Sequence, residues 1–287
     1  MSRVRIVTDS TIRFSTPNFI DHHLVTIAPT IVRCGSVSVQ DDPLVDLAML
    51  HRLLEDCQTN PTAEAPTQEQ LTQIYAQLQS SADQILSIHT SAGLSDAVVN
   101  ANAASQQFLG RLDIHVIDSQ SISIGLGLLV QAAAEGASRG EDLDTLVQIV
   151  RGMIPRIYMV FFLSDLYYLV QNGLISQSQA ILGNMLGIVS FLTMEGGQMT
   201  PMEKVRSRPR AIEKLIEFVC EFSDVEHLAI LQADSRPSHE SMSMIDRLRV
   251  YHPSTPITTV CYGPSISTIV GLDSLGVVVL EAEGSSL

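Results

Sequence analysis

Short apolar runs alternate with longer segments of helical spacing along the first half of the chain. Val4-Arg5-Ile6-Val7 reads as a strand closing at Thr8-Asp9-Ser10, with further buried strands over 84–89 and 114–118. A longer extended run covers 24–32. Helical periodicity covers 44–54, where Asp41-Asp42 precede as caps and Pro43 takes a first-turn position. It recurs from Thr67, followed by Glu69-Gln70, to about residue 79, then up to Phe108, over 125–137 and over 143–153. Pro61-Thr62-Ala63-Glu64-Ala65-Pro66 reads as a linker, since each proline turns its predecessor away from helix. This alternation of strand and helix predicts a parallel sheet.

Beyond about residue 155 the pattern changes. A strand over 157–162 leads to helices over 165–171 and 176–186, with Gly173 placed as a left-handed stop. Runs at 187–194 and 198–206 flank Glu195-Gly196-Gly197, a hairpin signal. A helix over 211–222, a strand over 228–231, a helix over 240–250 and strands over 257–261 and 277–281 complete an α+β pattern. The 287 residues exceed what one core usually supports, and this change divides the chain into domains of 1–156 and 157–287.

Composition narrows the function. Apolar residues make up 45% of the chain and mean hydropathy is +0.22, which suits packed cores. Seventeen basic against 31 acidic residues give a net charge of −14, which argues against nucleic acid as a partner. The cysteines Cys34, Cys57, Cys220 and Cys261 form no CxxC pair, so reduced thiols in a cytoplasmic protein are expected. The N-terminus enters a strand pattern at once and leaves no room for a signal peptide. The most apolar run, 157–170, is interrupted by Ser164 and Asp165 and is too short to span a bilayer, so no stable membrane insertion is expected.

Three strands end in hydroxyls: Thr8 and Ser10, Thr90 and Ser91, Ser119 and Ser121. Ligands of open parallel sheets sit beyond the carboxyl ends of strands, although such hydroxyls also serve as helix caps. Phosphate-loop, dinucleotide and nucleophile-elbow motifs are missing. No metal or cofactor site is expected; Asp21-His22-His23 puts two histidines on opposite sides of a strand. His89 closes a strand beside the hydroxyl loops. With Asp118 it supports a second reading, an enzyme acting on a small anionic metabolite. The basic stretch Lys204-Val205-Arg206-Ser207-Arg208-Pro209-Arg210 suits either solvent or an anionic contact.

Taken in order, several of these segments resemble the DegV family of bacterial fatty-acid-binding proteins. They are Val7-Thr8-Asp9-Ser10-Thr11, Pro61-Thr62, Ser91-Ala92-Gly93-Leu94-Ser95, Val116-Ile117-Asp118-Ser119-Gln120-Ser121 with Gly125-Leu126-Gly127, Leu169-Val170-Gln171-Asn172-Gly173-Leu174-Ile175-Ser176, Lys204-Val205-Arg206 with Arg210-Ala211-Ile212, and Gly263-Pro264. The resemblance implies an N-terminal α/β/α domain with a parallel sheet and a C-terminal α/β domain with a mixed sheet. It also implies a non-catalytic protein that holds a long-chain fatty acid between them. In some members the bound acid is presented to a separate fatty acid kinase.

Carried over by position, Thr62, Ser91, Gly93 and Ser95 are the expected carboxylate ligands, with Arg206 as a basic contact. The expected acyl lining is Phe161, Ile181, Leu182, Met185, Leu186, Ile188 and Phe191. Each buried CH₂ contributes about 0.8 kcal/mol, so a sixteen-carbon chain supplies roughly 10 kcal/mol before ordering costs. Four departures bear on this. Ala92 stands where the family commonly has serine, and Glu64-Ala65 where it has Ser-Gln. Leu174 replaces the arginine of Gly-Gly-Arg-Ile-Ser, and Ile269 replaces a histidine after Gly-Pro. The last two remove polar groups that would serve the head group or a kinase. A chain of this kind that has lost lipid binding would act as an interaction protein.

Overall fold

The computed structural model describes residues 3–16, 19, 25–42 and 61–284. The helix expected over 44–54, the Asp21-His22-His23 triplet and Cys57 lie outside these residues. Strand β1 (Val4–Asp9) runs parallel to β2 (Val25–Ala28). Three short strands follow, β3 (Ile31–Cys34), β4 (Val37–Gln40) and β5 (Thr62–Glu64), forming a separate antiparallel sheet in the order β4-β3-β5. Strands β6 (Gln84–His89) and β7 (Asp113–Asp118) join the first pair, giving the parallel order β2-β1-β6-β7.

Helices cover both faces of this parallel sheet because its strands are apolar on both. Helix α1 (Gln68–Leu78) starts in a capping box, Thr67 Oγ1 accepting from the Gln70 N–H and Gln70 Oε1 from the Thr67 N–H. With α2 (Ala97–Ser105) it covers Val7 and Ile85. Helices α3 (Ile124–Arg139) and α4 (Leu143–Met153) cover Ile6, Leu86 and Ile88, the alternate residues of the same strands.

The second part is built on β8 (Ile157–Leu163). After it come α5 (Tyr167–Gln171), α6 (Gln177–Met185), β9 (Val189–Glu195), β10 (Gln198–Val205) and α7 (Arg208–Cys220). Then follow β11 (Val225–Gln232), α8 (His239–Tyr251), β12 (Ile257–Cys261), α9 (Gly263–Val270) and β13 (Leu275–Glu281). The sheet order is β10-β9-β8-β13-β11-β12, with β11 and β12 parallel and the other pairs antiparallel. The α/β class, with one parallel and one mixed sheet, is as the sequence and the resemblance led us to expect.

One face of the mixed sheet packs Phe162 and Phe191 against Leu215 and Val219 of α7 and Met244 and Leu248 of α8. The other face, with Phe161 and Leu192, shares its core with Ile122 and with Ile124 and Leu128 of α3, so the two sheets are joined through it.

Three corrections follow. The run 24–32 is divided: Pro29 and Thr30 interrupt it and send its halves to different sheets. The stretch 62–64, read as linker, is strand β5, paired with β3. Cys34 is disulfide-bonded, against the expectation of reduced thiols, while Cys220 and Cys261 are free. Among the described residues, no helix is long and apolar enough to cross a membrane.

Candidate functional site

A cavity of about 420 Å³ opens where the hydroxyl loops of the parallel sheet meet the small antiparallel sheet and the second half of the chain. Thr11 and Thr90 line it from beyond β1 and β6, with Gly93, Leu94 and Ser95 from the loop before α2. Thr30 and the segment Pro61-Thr62-Ala63 close a second side. On the third, Ser265, Thr268 and Ile269 face inward at the i, i+3, i+4 spacing of one face of α9, beside Gln171 and Asn172. Ile122, Leu94 and Ile269 supply apolar surface; among the described residues, none in the lining carries an ionisable side chain. Such a site suits a ligand with one small polar head and an apolar body better than a polyanion.

Beneath Thr11 and Thr90 lies a buried polar chain. Asp9 Oδ1 sits 2.7 Å from Thr11 Oγ1 and 2.9 Å from Thr90 Oγ1, and the two hydroxyls are 2.5 Å apart. Asp9 Oδ2 accepts the Thr90 N–H at 2.8 Å and lies 3.3 Å from His89 Nδ1. His89 Nε2 is 2.8 Å from Ser87 Oγ, which is 2.8 Å from the Tyr75 hydroxyl. Burial alone would raise the Asp9 carboxyl. The hydrogen bond and charge of His89, with the Thr90 N–H and the Thr11 hydroxyl, outweigh it and hold the pKa below its ordinary value. Burial also pushes the Tyr75 phenol up to about 12.

The consequence for stability follows from linkage. The unfolded chain binds the Asp9 proton more tightly than the folded one. The contribution of Asp9 is therefore fully present above the ordinary value of 3.8 and is lost as the pH falls through the lower folded value. Acid titration followed by circular dichroism is expected to show a weaker acid dependence for Asp9→Asn than for the parent.

The sequence-derived site residues divide clearly. Thr62, Gly93 and Ser95 come together in the cavity wall. Ser91 does not: it is fully buried, and its hydroxyl donates to the Gly197 carbonyl at 2.5 Å, tying the loop to the β9–β10 turn. Gly197, with φ of +81°, permits this approach, because a Cβ there would collide with Ser91 Oγ. Arg206 is exposed after β10, away from the cavity lining. Arg208 and Arg210, in the same basic stretch, are paired with Glu240, Asp273 and Glu217 of their own chain.

None of the seven expected acyl-lining residues is among those lining this cavity. Helix α6 turns its small residues Ala180 and Gly183 inward, since a Cβ at Gly183 would collide with Leu166. That leaves Ile181, Leu182, Met185 and, just beyond, Leu186 exposed by 55–80%. Phe161 is fully buried on the cavity side of the mixed sheet, Phe191 is buried on the far side, and Ile188 packs half-buried at the core's edge. His89 and Asp118, the residues of the enzyme reading, also lie outside the lining. His89 has both ring nitrogens occupied, and Asp118 Oδ1 accepts the Ala92 and Gln120 N–H groups. Glu64, which would repel an anion, is held by Arg33 at 2.6 Å and is not part of the wall. Ile269, in contrast, stands in the wall itself.

A two-lobed α/β architecture, with a polar-walled, uncharged cavity at its junction, is the class this geometry defines. Residues 3–282 match the family described as "Uncharacterised protein, DegV family". The chain is 30% identical over 282 residues to a DegV domain-containing protein of Streptomyces coelicolor, covering 97% of this chain and 99% of that one. The chain belongs to the DegV family. Its fold matches the crystal structure of a fatty acid binding DegV family protein from Streptococcus agalactiae, with a TM-score of 0.85 at 22% identity, covering 99% of this chain and 100% of that one. It also matches the fatty acid kinase B3 protein of Streptococcus pneumoniae loaded with linoleic acid, with a TM-score of 0.82 at 17% identity, covering 98% and 100%.

Proposed function

We propose that this chain binds a long-chain fatty acid in the junction cavity and carries it without chemical change. The observation that carries the reading is the cavity wall itself: the hydroxyls of Thr62 and Ser95, the apolar side chains of Leu94, Ile122 and Ile269, and, among the described residues, no charge. Hydroxyl donors make charge-assisted hydrogen bonds to a carboxylate, stronger than neutral ones. Thr11 and Thr90 contribute differently. Their two hydroxyl protons serve three mutually close oxygens, theirs and Asp9 Oδ1, so with Asp9 ionised neither proton is free for the ligand. The head group is therefore assigned to the Thr62 and Ser95 side. The acyl chain passes over Leu94 and Ile269, which pack on the shared core.

The division into 1–156 and 157–287 belongs to the same proposal, the first part supplying the head-group loops; of the apolar wall, Leu94 and Ile122 come from the first part and Ile269 from the second, less than the share expected of the second part. Presentation to a fatty acid kinase is proposed on the likeness to the Streptococcus pneumoniae protein; Leu174 and Ile269 in place of arginine and histidine bear directly on that step. We place the exchange in the cytoplasm, as the sequence led us to expect; the disulfide at Cys34 runs the other way.

Titration of delipidated protein with palmitate tests the head-group assignment. Thr62→Ala and Ser95→Ala are each expected to weaken binding by about 1–2 kcal/mol, the cost of one lost hydrogen bond at a partly exposed site. Unchanged affinity in both would move the carboxylate elsewhere.

A further inference from the structure

Strand β7 is an edge of the parallel sheet: among the described residues, only β6 pairs with it. The backbone N–H and C=O groups on its other side are open to a further strand. Its first residues, Asp113 to Val116, are exposed or half-buried. A groove of about 570 Å³ runs here, lined by Ile114, His115 and Val116 and bordered by Asn102, Ser105 and Gln106 at the end of α2. Successive residues of a strand point to opposite faces, so a groove lined by all three follows the edge itself. It lies at the amino-terminal end of β7, whereas Thr11 and Thr90 line the junction cavity beyond the carboxyl ends of β1 and β6. The two share no residue.

Proteins usually blunt such edges. β10, an edge of the mixed sheet, is blunted by Pro201 and by a break in register between Pro201 and Lys204. β7 has neither device: it contains no proline, and all six residues pair with β6 in unbroken register.

Two arginines and a histidine gather at this edge. Arg111, exposed in the lining, donates to the Gln107 carbonyl and stands 5.6 Å from the centre of the Phe108 ring. Arg151 of α4, also exposed, donates to His115 Nε2 at 3.2 Å. A guanidinium only donates, so His115 accepts there and is neutral. Neither arginine meets a carboxylate among the described residues, although the chain holds 31 acidic against 17 basic residues. The acid in the lining, Asp113, has one oxygen held by the Gln84 amide at 3.0 Å. The groove is a basic surface on a chain of net charge −14.

We propose that β7 takes up an extended segment of a partner protein as an added strand, with acidic and apolar residues alternating along that segment. The alternation follows from the pleat. Ile114 and Val116 turn toward the core beneath α2, and His115 turns to the opposite side, where Arg151 meets it. Like faces of neighbouring strands lie side by side. Apolar residues of the partner therefore sit beside Ile114 and Val116, and acidic ones beside His115 and Arg151. Arg111, just before the strand, meets an acid at the segment's end. A second copy of this chain suits the edge less well, since a two-fold pair would set two basic edges against each other.

Fluorescence anisotropy of a labelled peptide of alternating Glu and Val, as long as β7, tests this on the intact chain. The peptide is expected to bind, and a Lys-Val peptide of the same length is expected not to. Arg111→Ala with Arg151→Ala is expected to weaken binding about tenfold, the size of losing two exposed charge pairs. Both positions are exposed, and circular dichroism checks that the double variant is folded. A central proline in the Glu-Val peptide removes an N–H from the added strand and is expected to weaken binding at least as much. No binding of the Glu-Val peptide overturns the proposal. So does equal binding of the Lys-Val or the proline-bearing peptide, or an affinity that the double variant leaves unchanged. A chain that sediments as a dimer when free and as a monomer with peptide gives the edge to a second copy, and likewise overturns it. None of these outcomes involves palmitate, so the fatty-acid reading stands or falls separately.

Discussion

Asp41→Ala is expected to lower the unfolding free energy by about 3–5 kcal/mol, as when one partner of a buried ion pair is removed. Arg13 and Asp41 are 3% and 0% exposed and meet at 2.6 Å. The guanidinium also donates to the carbonyls of Ser10, Ile12 and Cys261, and the other Asp41 oxygen accepts the Ser265 N–H. The pair therefore joins the loop after β1, the chain beyond β4 and the start of α9. Gly263 is needed beside it: its φ is +79°, and a Cβ there would strike the guanidinium. Removing Asp41 strands a buried cation and frees the wall that carries Ser265. Urea unfolding followed by circular dichroism measures the loss. Replacing both partners, Arg13→Met with Asp41→Leu, is expected to restore only part of it: neither charge then lacks its counterpart, but the Ser265 N–H and the carbonyls of Ser10, Ile12 and Cys261 lose theirs. A loss below about 1 kcal/mol for Asp41→Ala would show that the pair does not hold the junction together.

Ile269→Trp is expected to weaken palmitate binding at least a hundredfold while leaving the fold intact. Ile269 is half-buried with its side chain in the cavity wall, so the larger ring has the cavity to occupy. The ligand would then compete with a tethered aromatic for about 420 Å³. Displacement of a fluorescent fatty acid, with circular dichroism as the check on folding, measures this. Undiminished binding would place the acyl chain elsewhere, with the exposed side chains of Ile181, Leu182 and Met185 as the next candidate.

Much of the fold is legible in the residue pattern where a segment's neighbours are close in sequence. The β9–β10 hairpin follows from Gly196-Gly197, whose φ values of +54° and +81° suit a two-residue turn, and Glu195 pairs directly with Gln198. Gly173, at φ +70°, ends α5 as expected. Strand β5 escapes because it is short and exposed throughout, and its partner β3 lies about thirty residues away; β4 escapes although Val37-Ser38-Val39-Gln40 alternates as a strand does, because four residues are too few to stand out. Helix α9 escapes because Gly263-Pro264 reads as a turn, although proline is well placed in a first helical turn.

The candidate site is legible only in part. Thr62, Gly93 and Ser95 come from motifs, and the structure brings them together. The resemblance implies Ile181, Leu182, Met185 and Leu186 as acyl lining, but the apolar residues of α6 carry no signal of what covers them, and all four are exposed. Thr30, Gln171 and Ser265 carry no local signal; only the meeting of three distant segments makes them neighbours. Ser265 lies one turn before Ile269 on α9, which is the one hint the sequence offers of its place in the wall.

Native mass spectrometry of the chain purified from a bacterial host tests the central claim most directly. The account predicts added masses matching fatty acids of about fourteen to eighteen carbons, lost on delipidation and regained with one equivalent of added acid. A bare polypeptide mass that takes up no palmitate would contradict it.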